Sequence, residues 1–185
     1  MSIKILIVGP AASGKTTLAK QLQAKGFDIG KLYTTRPPRD ENDEEYYFCE
    51  PYDDGGNSFV PINTYDIVNY EVFVSCVFNG WKYTLTSDEL DSCNVFIVGP
   101  KMAQMIKDGA PEHRYLTIFL DVPESIRYER LMLRDMPGDS AIARIGRDRA
   151  DFAHFTDYDI RIHENNADQP IVIASVVHFL NESQC

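Results

Sequence analysis

An apolar run, Ile3-Lys4-Ile5-Leu6-Ile7-Val8, delivers the chain into Gly9-Pro10-Ala11-Ala12-Ser13-Gly14-Lys15-Thr16, and a segment of helical period follows at once. A strand, then Gly-x-x-x-x-Gly-Lys-Thr, then a helix is the context that a phosphate-binding loop requires. In such a loop the backbone N–H groups turn inward on an anion, and Gly9 and Gly14 supply backbone freedom that other residues resist. The helix that follows, read from Thr16 to Ala24 with Leu18 and Leu22 on one face and Gly26 as its stop, adds the positive end of its dipole. Its backbone and side-chain donors predict a phosphate site formed by Gly9, Ala11, Ala12, Ser13, Gly14, Lys15, Thr16 and Thr17. Lys15 reaches the β- and γ-phosphates of a nucleotide, and the Thr16 hydroxyl is the candidate ligand for Mg²⁺. A glycine-rich connecting turn is the bland alternative, and the full motif in its proper context weighs against it.

The chain has 185 residues, enough to bury one full core in a single domain, 1–185. No charged-then-apolar leader is visible, and no apolar run approaches the roughly 20 residues of a membrane span, so a cytoplasmic protein is expected. Cys49, Cys76, Cys93 and Cys185 have no paired spacing, and neither they nor the four histidines form a metal pattern. The formal net charge of −10 disfavours extended nucleic acid as a partner. Much of the acid lies in Asp40-Glu41-Asn42-Asp43-Glu44-Glu45, which leaves a locally basic site expected from Lys15, Arg36 and Arg39. A small phosphorylated substrate suits that arrangement.

Five β-rich runs are read along the chain, at Ile3 to Val8, Ile29 to Thr34, Asn94 to Val98, Tyr115 to Asp121 and Asp159 to His163. Helix-period segments fall between or after them at Lys101 to Lys107, Pro123 to Arg134, Ser140 to Phe155 and Pro170 to Glu182. The alternation predicts an α/β fold, a five-stranded parallel sheet with helices on both faces. The segment from about 35 to 90 breaks the rhythm. It is rich in aromatic, Pro, Gly and β-branched residues, and reads as an inserted β-rich substrate lobe.

That lobe opens with Tyr33-Thr34-Thr35-Arg36-Pro37-Pro38-Arg39, followed by Glu45-Tyr46-Tyr47-Phe48. Two arginines on a proline-stiffened turn can converge on one phosphate through forked, charge-assisted bonds. Here the chain resembles the guanylate kinases, a branch of the P-loop nucleoside monophosphate kinases. The family carries a P-loop, a Thr-Thr-Arg-x-Pro-Arg stretch and an Asp-Tyr-x-Phe stretch in this order. The resemblance extends to Phe78-Asn79-Gly80-Trp81-Lys82-Tyr83 and to Arg130-Leu131-Met132-Leu133-Arg134, with Arg144 beyond. It implies ATP and Mg²⁺ as cofactors and a nucleoside monophosphate as acceptor. It further implies that Arg36, Arg39, Tyr46 and Tyr83 hold the acceptor phosphate, and that Arg134 and Arg144 fold over the transferring group from a lid at 134–147. A solvated helix face is the alternative for the two lid arginines.

The departures from the family bear on the base. Where guanylate kinases place a serine, a glutamate and a Ser or Thr against guanine, counting along this chain finds Leu32, Val74 and Leu85. A small register shift brings in Glu71, Thr84 or Thr86 instead. An apolar pocket selects by shape and rejects little, so the base preference is expected to differ from guanine. Trp81 is read as a packing residue with base stacking as its alternative. The third strand ends at Phe96-Ile97-Val98-Gly99-Pro100-Lys101 without the acid that the family places near the metal. Mg²⁺ then rests on Thr16, phosphate and water, or takes an acid from elsewhere, Asp121 being nearest by topology.

The expected activity is ATP-dependent phosphoryl transfer to a nucleoside monophosphate. A kinase of a hydroxymethyl-modified pyrimidine or of a sugar phosphate stays open. So does a noncatalytic binding module, although a scaffold has no use for Lys15 and Thr16.

Overall fold

The computed structural model describes residues 3–39, 41, 43–51, 58–61, 68–69, 71–78, 80–133, 140–163 and 176. A sheet of five parallel strands runs β11-β10-β1-β9-β2, from β1 (Ile3–Val8), β2 (Ile29–Gly30), β9 (Val95–Val98), β10 (Arg114–Leu120) and β11 (Ile160–Ile162). β1 is central because its side chains are apolar on both faces. Ile5 and Ile7 point into a core with Leu18, Leu22, Ile118 and Leu120, while Leu6 and Val8 point into a second core with Phe96, Val98, Met102 and Ile106. The period of two in a strand puts alternate residues on opposite faces, so each face needs its own helix layer. α1 (Lys15–Gln23) covers one face and α3 (Pro100–Gly109) the other.

The second sheet is built by the middle of the chain. Its order is β6-β5-β4-β3-β8-β7, with β3 (Tyr33–Thr34), β4 (Tyr47–Pro51), β5 (Ser58–Pro61), β6 (Val68–Asn69), β7 (Val72–Phe78) and β8 (Trp81–Thr86). The run expected as one strand from Ile29 to Thr34 is therefore two. Ile29 and Gly30 pair with β9, whereas Tyr33 and Thr34 pair with β4 and β8, and Lys31 and Leu32 carry the chain from one sheet to the other. The physical cause is a change of partner, which no local propensity encodes.

α2 (Ser87–Ser92) was not anticipated. Its signal is Thr86-x-x-Glu89, in which the Thr86 hydroxyl caps the helix by accepting from the Glu89 N–H at 3.3 Å. The other end of α2 is closed by Lys4, a fully buried lysine of β1 that donates to the carbonyls of Leu90 and of Cys93, the latter at 2.8 Å. Lys4→Met is expected to leave both carbonyls without that donor, at a cost of about 1–3 kcal/mol each. Urea unfolding measures the loss, and an unchanged midpoint would refute the cap.

α4 (Glu124–Leu133) and α5 (Ala141–Phe152) lie between β10 and β11 in the chain and pack on each other. The helix expected from Pro170 to Glu182 lies outside the described residues, apart from Val176, which is buried against the α1 face. No helix among the described residues is long and apolar enough to cross a membrane.

Candidate active site

β1 ends against one wall of a cavity of about 710 Å³, and the phosphate loop forms that wall. Gly9, Ala11, Ala12, Ser13, Gly14, Lys15, Thr16 and Thr17 all line it. The loop turns on two left-handed residues, Ala12 (φ 60) and Gly14 (φ 96). Gly9, expected to matter for its dihedrals, matters for space: a Cβ there would lie 2.7 Å from Ser13 Oγ and 2.9 Å from the Leu120 carbonyl. The first helical bond of α1 runs from Leu18 N–H to the Gly14 carbonyl, so the N–H groups of Lys15, Thr16 and Thr17 precede the ladder and are available to an anion. Lys15 Nζ folds back onto the carbonyls of Gly9 and Pro10 at 2.8 and 2.9 Å.

The opposite wall comes from the second sheet. Arg36, Arg39, Tyr46, Tyr83 and Leu32 line the same cavity. Arg36 is 9% exposed, with its guanidinium 5.2 Å from the Tyr46 ring centre and 5.1 Å from that of Phe48. Stacking of this kind holds the planar group in place. The Nε atoms of Arg36 and Arg39, and Ser13 Oγ, are buried without a hydrogen-bond partner among the described residues. Buried donors left over on cavity residues are what a phosphate ligand would satisfy.

This region is not the basic patch that the sequence suggested. Asp43 pairs with Arg36 at 3.0 Å and accepts from the Arg39 N–H, while Glu45 pairs with Arg39 at 2.9 Å. Glu45 also accepts the Thr16 hydroxyl hydrogen bond, so one carboxylate joins the donor loop to the acceptor arginines. Burial pushes the Glu45 carboxyl up, but the bonds from Thr16 and Arg39 outweigh it. Asp43 likewise is raised by burial and brought down by Arg39 and Arg36, and both acids end below their ordinary values. Glu45 thus sets a carboxylate beside the Thr16 hydroxyl. Asp121 is engaged elsewhere, by Arg161 at 2.9 Å and His163 at 3.0 Å, and is not on the cavity wall.

The base-contact positions counted from the sequence divide. Leu32 is on the wall, whereas Val74 and Leu85 pair across β7 and β8 and are buried in the core beneath it. The same face of this hairpin reaches the cavity two residues further on, through Cys76, Phe78, Trp81 and Tyr83. Trp81 lines the cavity and is 40% exposed. None of the three alternatives lines the cavity: Glu71 is exposed, Thr84 bonds Ser75 at 2.9 Å, and Thr86 caps α2. Tyr46 and Tyr83 both have raised hydroxyl pKa values. Burial is the main cause, opposed at Tyr83 by Arg36, Arg39 and Arg144 among others. Arginines from two segments, Arg36 and Arg39 on one turn and Arg144 on α5, therefore bear on one phenol.

Arg144 reaches the cavity from α5, together with Arg147, Asp148, Asp151 and Phe152. Arg134 lies outside the described residues.

The AAA domain family matches residues 5–149, which is more than half of the chain. The chain belongs to that family. Its span includes the phosphate loop, the acceptor arginines and Arg144. A guanylate kinase from Anaplasma phagocytophilum superposes with a TM-score of 0.61 at 17% identity, over 99% of this chain and 86% of that one. The fold is therefore guanylate kinase-like, a P-loop α/β fold built on a five-stranded parallel sheet. No curated protein matches the chain.

Sequence reasoning missed Asp43, Glu45 and Asp148 as site residues. The first two lie in the acidic run that the sequence reading sets apart from the basic site. Their alternation, two residues apart and close behind Arg36 and Arg39, was the signal available. Asp148 gave none, since its partners are far away along the chain.

Proposed function

We propose that this protein is an ATP-dependent kinase that phosphorylates a nucleoside monophosphate other than GMP. The observation that carries the reading is a single cavity in which Lys15 and Thr16 face Arg36, Arg39 and Tyr83. A donor-phosphate cradle opposite a forked cationic clamp is the arrangement for moving a phosphoryl group between two anions.

In this reading Lys15 and the N–H groups at the start of α1 hold the β- and γ-phosphates of ATP. Arg36 and Arg39 exchange Asp43 and Glu45 for the acceptor phosphate and aim it in line. Arg144, with Arg134 from the 134–147 lid, spreads over the charge of the transition state. The acceptor phosphate is already an oxyanion, so no general base is required. The 35–90 lobe carries the acceptor and closes with the lid to exclude water.

Thr16 and Glu45 present hard oxygen atoms to one another on the cavity wall, which fits Mg²⁺. No group of three or more metal-binding His, Cys, Asp or Glu side chains occurs among the described residues, and Mg²⁺ sites commonly use one or two carboxylates with water and substrate oxygens. Thr16 and Glu45 would hold the ion, which when bound neutralises charge on the β- and γ-phosphates.

The base faces Leu32, Cys76, Phe78 and Trp81, a surface of apolar and aromatic groups. Guanine would bring its N1 and N2 donors and O6 acceptor there largely unmatched, at about 1–3 kcal/mol for each. The expected result is a kcat/KM for GMP and dGMP at least about tenfold below that of the best pyrimidine or modified-pyrimidine monophosphate. A coupled assay of ATP turnover over ribo- and deoxynucleoside monophosphates measures it, and a clear preference for GMP overturns the assignment of the base.

A further inference from the structure

Asp148 is a buried carboxylate that the transfer chemistry above leaves unused. It lies on α5 and is 7% exposed. Its Oδ2 accepts two bonds, from the Ala11 N–H of the phosphate loop at 3.0 Å and from Arg127 of α4 at 2.9 Å. Arg127 is itself buried and is steadied by a bond from its Nε to the Val122 carbonyl at 3.1 Å. Three elements thus meet on one oxygen atom.

The apolar contacts around this point hold the elements together without fixing their register. Ala12 packs against Leu131 of α4 and Ile145 of α5. Smooth contacts of this sort allow a helix to slide or rotate by small amounts, whereas a bond to a loop amide fixes one residue of the helix opposite one residue of the loop. Arg144 stands four residues before Asp148, one turn away on the same face of α5, and both line the cavity. The Ala11 N–H belongs to the entry of the loop. Asp148 therefore takes it without competing for the amides at the start of α1 that face an anion.

We propose that Asp148 is a positioning residue, which locks α5 in register with the phosphate loop so that Arg144 is delivered to the transferring phosphoryl group. The inference rests on the kinase reading for the chemistry that Arg144 performs. It does not depend on which base the acceptor carries.

A double-mutant cycle tests it, with Arg144→Ala, Asp148→Ala and the pair measured for kcat and for the Kd of ATP by calorimetry. Each single change is expected to lower kcat by about 10–100-fold. If Asp148 acts through Arg144, the pair is no slower than the worse single variant by more than about threefold. Losses that multiply, or a folded Asp148→Ala with the wild-type kcat, overturn the proposal.

Asp148→Ala also strands the Arg127 charge, so Asp148→Asn is measured beside it. Asparagine can place an oxygen where both donors converge, and it is expected to recover most of the rate although the melting temperature falls. An asparagine variant that is folded yet as slow as alanine overturns the proposal as well. A wild-type protein that binds ATP but phosphorylates no acceptor overturns the kinase reading alone. The cycle on ATP affinity then decides the role of Asp148 by the same rule.

Discussion

Lys15→Ala is expected to lower the rate of phosphoryl transfer by about 10²–10³-fold. Lys15 is the one cation built into the phosphate loop, and its Nζ lies on the carbonyls of Gly9 and Pro10 within the cavity. An ammonium in that place follows the charge that builds on the β- and γ-phosphate oxygens, and no other residue of the loop carries a positive charge. The cost to the fold is small by comparison, because two hydrogen bonds contribute about 1 kcal/mol each. Steady-state kinetics and a thermal melt separate the two effects. A folded variant with near-normal turnover would end the kinase reading.

Arg39→Ala is expected to raise the acceptor KM and lower kcat, with a combined loss in kcat/KM of about 10–100-fold. This is the value of one charge-assisted bond to phosphate, about 1.5–3 kcal/mol. Arg39 is the cleaner probe of the pair. Its side chain is 22% exposed and its partner Glu45 keeps Thr16, whereas Arg36 is wedged between Tyr46 and Phe48 and its removal takes the ion-pair partner from Asp43, whose side chain is 4% exposed. Arg36→Ala is accordingly expected to lose stability as well as activity. Affinity for ATP, measured by calorimetry without acceptor, should change far less than the acceptor KM in Arg39→Ala. Equal losses on both would place Arg39 on the donor side of the cavity.

The acceptor half of the site shows how far counting along a chain can go. Leu32 lies on the wall because it immediately precedes the Tyr33-to-Arg39 turn that forms the wall. Val74 and Leu85 lie on the face of the β7–β8 hairpin that includes Cys76, Phe78, Trp81 and Tyr83, since side chains alternate along a strand. They lie deeper along it: the pairs Cys76 with Tyr83 and Phe78 with Trp81 reach the cavity, while the pair Val74 with Leu85 stays in the core. Period two tells which face a residue is on. Only the packing of the hairpin on α3 and β9 tells how far along that face the solvent begins.

What the sequence determined by itself was local in cause. The strand, loop and helix of residues 3–23 follow from an apolar run, two glycines and an amphipathic repeat that are contiguous, and the parallel sheet follows from strands spaced by helices. Tertiary structure decided the contacts between segments remote in sequence. Thr16 meets Glu45 across 29 residues, Lys4 meets the end of α2 across 86, and Ala11 meets Asp148 across 137. A charged side chain carries no mark of its future partner, and its neighbours in sequence predict only that it will be solvated. Burial changes that rule, because a charge removed from water must find a partner wherever the fold brings one within about 3 Å. Which acid that is depends on how β1, the second sheet and α5 come together around one cavity.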